Sequence, residues 1–244
     1  MAATPRGAAL VTGGARRIGR ALVLACARAG YDVAIHCRAV DDDAQAAAAD
    51  VRSLGRKAYL HPCDLRQEAA TAPMVGDVEG ELGPVTLLVN CASAFEEDAF
   101  SSMNRASWDA HMETNLRAPL VLAQAFARRL PEGRTGLIVN VLDQRVLAPG
   151  AEFFSYTLSK AALWSATQIL AQALAPRIRV NGIGPGPTLA SIHQDDAAFA
   201  AEAASTPLGH AVDPAEIGQA LAYLIDARSV TGQMIAVDSG QHLT

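Results

Sequence analysis

Seven short apolar runs, spread along the whole chain and separated by longer stretches of helical character, restrict this sequence to one broad architecture. The runs are AALVT (8–12), DVAIHC (32–37), KAYLH (57–61), VTLLVN (85–90), TGLIVNV (135–141), IRVNGI (178–183) and QMIAVD (233–238). Helical stretches lie near 18–29, 43–54, 66–81, 107–130, 155–175 and 213–226. A strand that is apolar at nearly every position has both faces covered, and parallel neighbours need a long crossover between them. The pattern predicts an α/β fold, a doubly wound parallel sheet with helices on both faces. No repeat, low-complexity tract or linker interrupts the 244 residues, so one domain is expected.

Two places depart from the alternation. Residues 184–212 form a long connection, rich in Gly and Pro at its start and in Ala later, and a connection of that length predicts a substrate-binding lid. The stretch SYTLSKAALWSATQILAQALA (155–175) is apolar or small almost all round, so its helix must be buried on two sides, by its own sheet and by another subunit.

The first strand runs into TGGARRIG (12–19) and then a helix. A glycine-rich turn at a strand–helix junction turns backbone N–H groups and the helix N-terminus toward a pyrophosphate, here through Gly13, Arg16, Arg17, Ile18 and Gly19. The end of the second strand normally reads the cofactor's ribose: an acid there takes a 2′-hydroxyl, a base accommodates a 2′-phosphate. That strand ends IHCRA, which puts Arg38 at the deciding place. Asp41, Asp42 and Asp43 follow, where carboxylates cap the next helix. Arg16 and Arg38 together are suited to clamp a 2′-phosphate, so the expected cofactor is NADP(H). Three further segments follow strand ends in the right order. In CDL (63–65), Asp64 and Leu65 are placed for an adenine. In NCAS (90–93), Asn90 and Ala92 allow close approach of the backbone. In GPGPT (184–188), Pro185, Gly186 and Thr188 are placed for a nicotinamide carboxamide.

In SYTLSK, Tyr156 and Lys160 are spaced i, i+4 and share one helix face. A free phenol has a pKa near ~10, and a neighbouring Lys⁺ is expected to lower it so that Tyr156 serves as a general acid.

Composition removes other classes. A net charge of −5 offers no basic footprint for nucleic acid or an anionic membrane. The N-terminal MAATPRGAALVTGG lacks the apolar core of a signal peptide, and no apolar run reaches the length of a membrane span. Cys26, Cys37, Cys63 and Cys91 have no metal-finger or CxxC spacing, which predicts reduced thiols, no metal site and a cytoplasmic protein.

Taken together, TGGARRIG, CDL, VNCAS, ETNLRAP with Asn115, SYTLSK, GPGPT and TGQMIAVDSG resemble the short-chain dehydrogenase/reductase family over nearly the whole chain. Within it, Arg17 in place of the middle glycine of TGxxxGxG, Asp143 in place of the usual Ser, and Phe95 shortly after the fourth strand are similar to the pteridine reductase branch and to bacterial dihydromonapterin and dihydrofolate reductases. Cys91 and Ala94 depart from that branch's usual VNNASSF. The resemblance implies a single-domain Rossmann fold with a seven-stranded sheet, a homotetramer built partly on the helix of Tyr156, and NADPH-dependent reduction. It assigns Asn115 to hold a water beside Lys160. It also places Arg17, Ser93, Phe95, Asp143 and Tyr156 around the substrate, with Phe95 stacking on a flat ring.

Asp143 then bears on the substrate. A carboxylate roughly 3–4 Å from the growing negative charge of a carbonyl oxygen opposes it by roughly 4–5 kcal/mol at an effective dielectric of ~20. A substrate with N–H donors that needs a proton on a ring nitrogen reverses that sign, so a C=N of a pterin or dihydrofolate is expected. A buried, protonated Asp143 would instead act as a donor, as Ser does. The alternatives are a general carbonyl reductase of 3-oxoacyl thioesters or sugars and a non-catalytic NADP-binding sensor.

Overall fold

The computed structural model describes residues 6–191 and 194–244. Its centre is one sheet of seven parallel strands in the order β3-β2-β1-β4-β5-β6-β7. The strands are β1 (Ala8–Val11), β2 (Asp32–Cys37), β3 (Ala58–Pro62), β4 (Val85–Asn90), β5 (Gly136–Val141), β6 (Ile178–Pro185) and β7 (Met234–Val237). The chain winds outward from β1 to β3, then crosses back to β4 on the other side of β1. The resulting crevice lies at the carboxyl ends of β1 and β4, where such sheets bind ligands.

Each strand divides its side chains between two cores, as the period of two requires. Ala9 and Val11 face one side, where α1 (Arg17–Arg28), α2 (Asp42–Ser53) and, near the end of the chain, Pro214–Asp226 contribute Leu22, Cys26, Val51, Ile217 and Leu221. Ala8 and Leu10 face the other side, packed with Met74, Val78, Leu122 and Phe126.

The remaining helices follow in chain order. α3 (Glu68–Thr71) and α4 (Met74–Leu82) replace the single helix expected over 66–81, the break falling at Pro73, whose ring provides no N–H to continue a helix. The stretch expected over 107–130 is α5 (Arg105–Met112), a π-turn (Glu113–Arg117) and α6 (Ala118–Arg129). The catalytic-motif helix is α7 (Phe154–Ala173). In the connection 184–212, β6 takes the first residues and α8 (Asp196–Ser205) the Ala-rich part, capped by Asp195. Residues 192 and 193 of that connection lie outside the described residues. α9 is Pro214–Asp226. No described helix is long and apolar enough to cross a membrane. Among the described residues no group of His, Cys, Asp or Glu is arranged to hold a metal ion.

Candidate active site

The turn after β1 is held open by neighbours on both sides. Thr12 Oγ accepts the N–H groups of Cys91 (2.9 Å) and Ala92 (3.1 Å), joining the ends of β1 and β4. Gly13 has a φ of +65°, and a Cβ there would lie 2.9 Å from Cα of Ala92, so only glycine allows this approach. A Cβ on Gly19 would lie 2.0 Å from the carbonyl oxygen of Gly13, which explains the glycine where α1 packs on the turn. Arg17 stands where the common pattern has glycine and keeps the glycine-like φ of +52°. Its guanidinium donates to the carbonyls of Leu189 (3.1 Å) and Ala190 (2.9 Å) at the start of the long connection.

Helix α1 has no side-chain cap and no acid in its first turn. Its leading amides, from Arg17 through Gly19, therefore look for an acceptor outside the helix. Beside them the exposed Arg16 pairs with Asp41 and Asp43, and Arg38 is exposed at the end of β2. Asp41 also caps α2 through the N–H of Ala44 at 2.9 Å. A narrow glycine turn, an uncapped helix N-terminus and two arginines fit a phosphorylated dinucleotide.

The other residues expected at this end are arranged less uniformly. Asp64 is gripped by the Arg66 guanidinium, which holds its carboxyl down at about 2, and Leu65 is buried. Asn90 turns into the sheet rather than the crevice: its amide donates to Asn140 Oδ1 at 2.8 Å, and Asn140 donates on to Thr167. Oδ1 of Asn90 is left buried without a partner among the described residues. At the end of β6, Gly186 follows Pro185 and lies against Asp238, with Thr188 donating to the Gly186 carbonyl at 2.9 Å.

At the other end of the crevice β5 leads into Asp143, which accepts the N–H of Arg145 at 2.9 Å and so starts a 3₁₀ turn (Gln144–Val146). The Tyr156 hydroxyl donates to Asp143 Oδ2 at 2.7 Å. Lys160 is buried and donates from Nζ to the carbonyl of Val141 at 2.8 Å. Asn115 sits in the π-turn, a bulge that is common at functional sites. Its Oδ1 accepts from the Ala94 N–H (2.8 Å) and Ser93 Oγ (3.2 Å), and its amide donates to the Ala94 carbonyl and to Ser159 Oγ. The side chain thus pins the 93–94 loop to α7.

The expectation that Lys160 lowers the pKa of Tyr156 is corrected by this geometry. Burial raises the phenol well above its ordinary value, and the Asp143 carboxyl raises it further; the opposing pull comes from Arg145 and Ser93. Lys160 lies 5.7 Å from the Tyr156 ring centroid, and burial lowers its own pKa. Burial also raises Asp143. The phenol thus keeps its proton and shares it with Asp143 through one hydrogen bond.

Phe95 lies parallel to Phe153 with centroids 4.3 Å apart and meets the Tyr156 ring edge-on at 4.7 Å. Arg145 covers Phe153 with its guanidinium 5.1 Å from the centroid. The sequence does not single out Phe153, Arg145 or the buried His36, whose Nδ1 accepts the Gly13 N–H at 3.1 Å. The Phe153–Phe154 doublet at a helix start and a histidine inside an apolar strand were the only signals available for two of them.

A family profile described as enoyl-(acyl carrier protein) reductase matches residues 13–242. The fold superposes on FolM alternative dihydrofolate reductase 1 from Brucella suis in complex with NADP, with a TM-score of 0.94, 46% identity and coverage of 99% of this chain and 97% of that one. A short-chain dehydrogenase from Burkholderia cenocepacia, also in complex with NADP, gives a TM-score of 0.90, 33% identity and coverage of 97% and 98%. Among curated proteins, the 3-oxoacyl-[acyl-carrier-protein] reductase FabG of Aggregatibacter actinomycetemcomitans is 32% identical over 237 residues, covering 95% of this chain and 97% of the relative.

Proposed function

The chain belongs to the short-chain dehydrogenase/reductase family and uses NADP(H), and we propose that within it the enzyme reduces the C=N bond of a pterin or dihydrofolate-like substrate. The cofactor, when bound, supplies the hydride. Gly13, Arg17, Ile18 and Gly19 would hold its pyrophosphate and Arg16 with Arg38 its 2′-phosphate. Asp64, Leu65 and Ala92 would line the adenosine, and Lys160, Pro185, Gly186 and Thr188 the nicotinamide end. Asn90 supports the strand end from within the sheet.

Tyr156 then acts as the acid. Its proton passes to the ring nitrogen while hydride reaches the adjacent carbon, so the reduced C–N bond gains one hydride and one proton. Asp143, 2.7 Å from the phenol, is the observation that carries this reading. It stands where a substrate amino group can donate to it, and it opposes the negative oxygen of a ketone's transition state. Ser93, Phe95 and Arg17 complete the substrate walls, and the likeness to the Brucella dihydrofolate reductases supports the choice.

The alternative is a general carbonyl reductase, favoured by burial raising the pKa of Asp143 and by the FabG-type relatives. A protonated Asp143 would donate to a carbonyl as Ser does. Turnover with NADPH of dihydrobiopterin, dihydromonapterin, dihydrofolate, folate and an acetoacetyl thioester separates the two. The pterin reading expects the reduced-pteridine substrates to lead, and Asp143→Ser to cut their kcat while leaving NADPH affinity unchanged. A wild-type preference for the thioester overturns it.

The exposed face of α7, with Ile169 63% exposed and Leu158 39%, supports the homotetramer; light scattering should show four copies, and a monomer at micromolar concentration would refute it.

A further inference from the structure

Helix α7 begins without a cap of its own. Phe153, at its N-cap, has a φ of +51° and makes no side-chain capping bond. The leading amides are instead satisfied by a residue more than fifty positions away: Phe154 N–H donates to the Asp98 carbonyl at 3.0 Å and Ser155 N–H to Asp98 Oδ1 at 2.9 Å. Asp98 is 5% exposed and lies on the loop that also carries Phe95. Its second oxygen, Oδ2, accepts from the Ser155 hydroxyl.

His111, on α5, closes this cluster. It is fully buried, as is Ser155. Its Nε2 faces the N–H of Glu96 at 3.0 Å, and a backbone amide can only donate, so Nε2 carries no proton. The neutral ring therefore has its proton on Nδ1, which donates to Ser155 Oγ at 2.7 Å. That leaves the hydroxyl hydrogen for Asp98. The chain of bonds runs one way, from the Glu96 amide through His111 and Ser155 to the Asp98 carboxylate. Hydrogen bonds aligned in this way reinforce one another. Burial works against ionisation of Asp98, but the two bonds from Ser155, together with Ser107 and His111, outweigh it and hold the carboxyl below its ordinary range.

Two members of this chain, Glu96 and Ser155, are adjacent in sequence to the two walls of the substrate slot. Phe95 precedes Glu96, and Tyr156 follows Ser155. The His111 ring itself meets Tyr156 edge-on at 5.9 Å.

We propose that Asp98, Ser155 and His111 form a buried positioning relay that fixes how the Phe95 and Tyr156 rings stand against each other, and so governs substrate affinity without touching substrate or cofactor. The inference rests on the reading that these two rings line the substrate slot. Asp98→Asn reverses the relay: the side-chain amide donates toward Ser155 Oγ, which turns the Ser155 hydroxyl to donate to His111 Nδ1 and so forces the ring proton to Nε2, against the Glu96 N–H. His111→Leu removes the middle of the chain. His111→Gln keeps its polarity, because Oε1 can accept from Glu96 and Nε2 can donate to Ser155.

The test is steady-state kinetics on whichever substrate the wild type turns over, beside NADPH titration by fluorescence. Asp98→Asn and His111→Leu should raise KM about tenfold or more, the scale of a lost hydrogen bond to a charged group. NADPH affinity should stay within about twofold by the same scale, and His111→Gln should recover most of the KM. Unchanged KM in folded Asp98→Asn and His111→Leu overturns the proposal, as does a parallel loss of NADPH affinity, which would mark a merely structural cluster. If these variants do not fold, ¹⁵N shifts of wild-type His111 decide: Nδ1 protonated and Nε2 bare near neutral pH supports the relay, and the reverse overturns it. Should the wild type reduce only ketones, the pterin reading fails, while the KM comparison on that ketone still decides the relay.

Discussion

At the ends of β1, β2 and β3 the crevice is shaped largely by backbone, by glycine conformations and an uncapped helix start. At the ends of β4, β5 and β6 it is made of side chains drawn from distant parts of the chain. The first region needs glycine at 13 because of its +65° φ, and glycine at 19 because Gly13 O lies where a Cβ would go. Its cations, Arg16 and Arg38, sit at strand ends that the apolar pattern already marks. In the second region Tyr156 meets Asp143 and Asn115 holds Ala94 through their side chains, while Asp98 caps α7 and Phe153 stacks on Phe95 across more than fifty residues. Local constraint makes a site legible from residue order; long-range assembly makes its chemistry depend on packing. The two regions should therefore fail independently when mutated.

The largest separation is expected from Tyr156→Phe. The ring and its edge-on contact with Phe95 remain, and only the proton donor is lost. Turnover should fall by roughly 10²–10⁴-fold, the range of a general acid. NADPH affinity, measured by fluorescence titration, should be unchanged, since the Arg16/Arg38 end of the crevice is untouched. Comparable losses in both would mean that the two regions are not separable.

The reciprocal change is Arg38→Asp. It places an acid where a ribose hydroxyl, not a phosphate, is preferred, so NADPH should bind roughly 10–100-fold more weakly, the cost of a charge-assisted hydrogen bond. NADH binding should improve relative to NADPH. At saturating NADPH the substrate KM should stay at its wild-type value. If the wild type binds NADH as tightly as NADPH, the assignment of these arginines is wrong at its root.

The same contrast governs what residue order reveals. Continuous apolar runs place all seven strands within about two residues, because a buried parallel strand cannot be polar on either face. Helix ends are less visible. Pro73 divides one expected helix, and the π-turn at Asn115 divides another without any sequence signal that separates it from a regular turn. α8 reads in the sequence only as part of an Ala-rich connection, because its exposed surface carries little apolar periodicity. Tyr156 and Lys160 are recognisable from spacing and Asp143 from the family resemblance, but the direction of the Tyr156 shift is not. It depends on burial and on the Asp143 carboxyl that packing sets against the phenol. Phe153 is invisible for the same reason: its role comes from a left-handed φ and a ring brought from residue 95.

The smallest expected effect belongs to His36, and it tests whether the cofactor end is as backbone-determined as it looks. His36 Nδ1 accepts the Gly13 N–H at 3.1 Å, and Nε2 donates to the Cys63 carbonyl at 3.1 Å. The ring holds the glycine turn to the loop after β3, and it must be neutral, because a second proton would face the Gly13 amide. Burial lowers its pKa from the model-peptide value of 6.5 to about 4. The unfolded chain thus binds more protons between these values, so this contribution to stability is complete above about pH 6.5 and fades as pH falls toward 4. At pH 5.5 the loss relative to neutral pH is roughly 1.4 kcal/mol, about tenfold in the folding equilibrium. Burial also lowers the pKa of His111, which adds acid sensitivity of the same sign, so wild type alone does not isolate His36. His36→Gln does, because an amide can accept from Gly13 and donate to Cys63 without titrating. Urea unfolding at pH 7.5 and 5.5 should show the wild type losing more stability than His36→Gln, with NADPH affinity declining in parallel in the wild type. Equal losses in the two proteins would mean that the neutral ring does not hold the turn, and that Gly13 and Gly19 shape the phosphate site unaided.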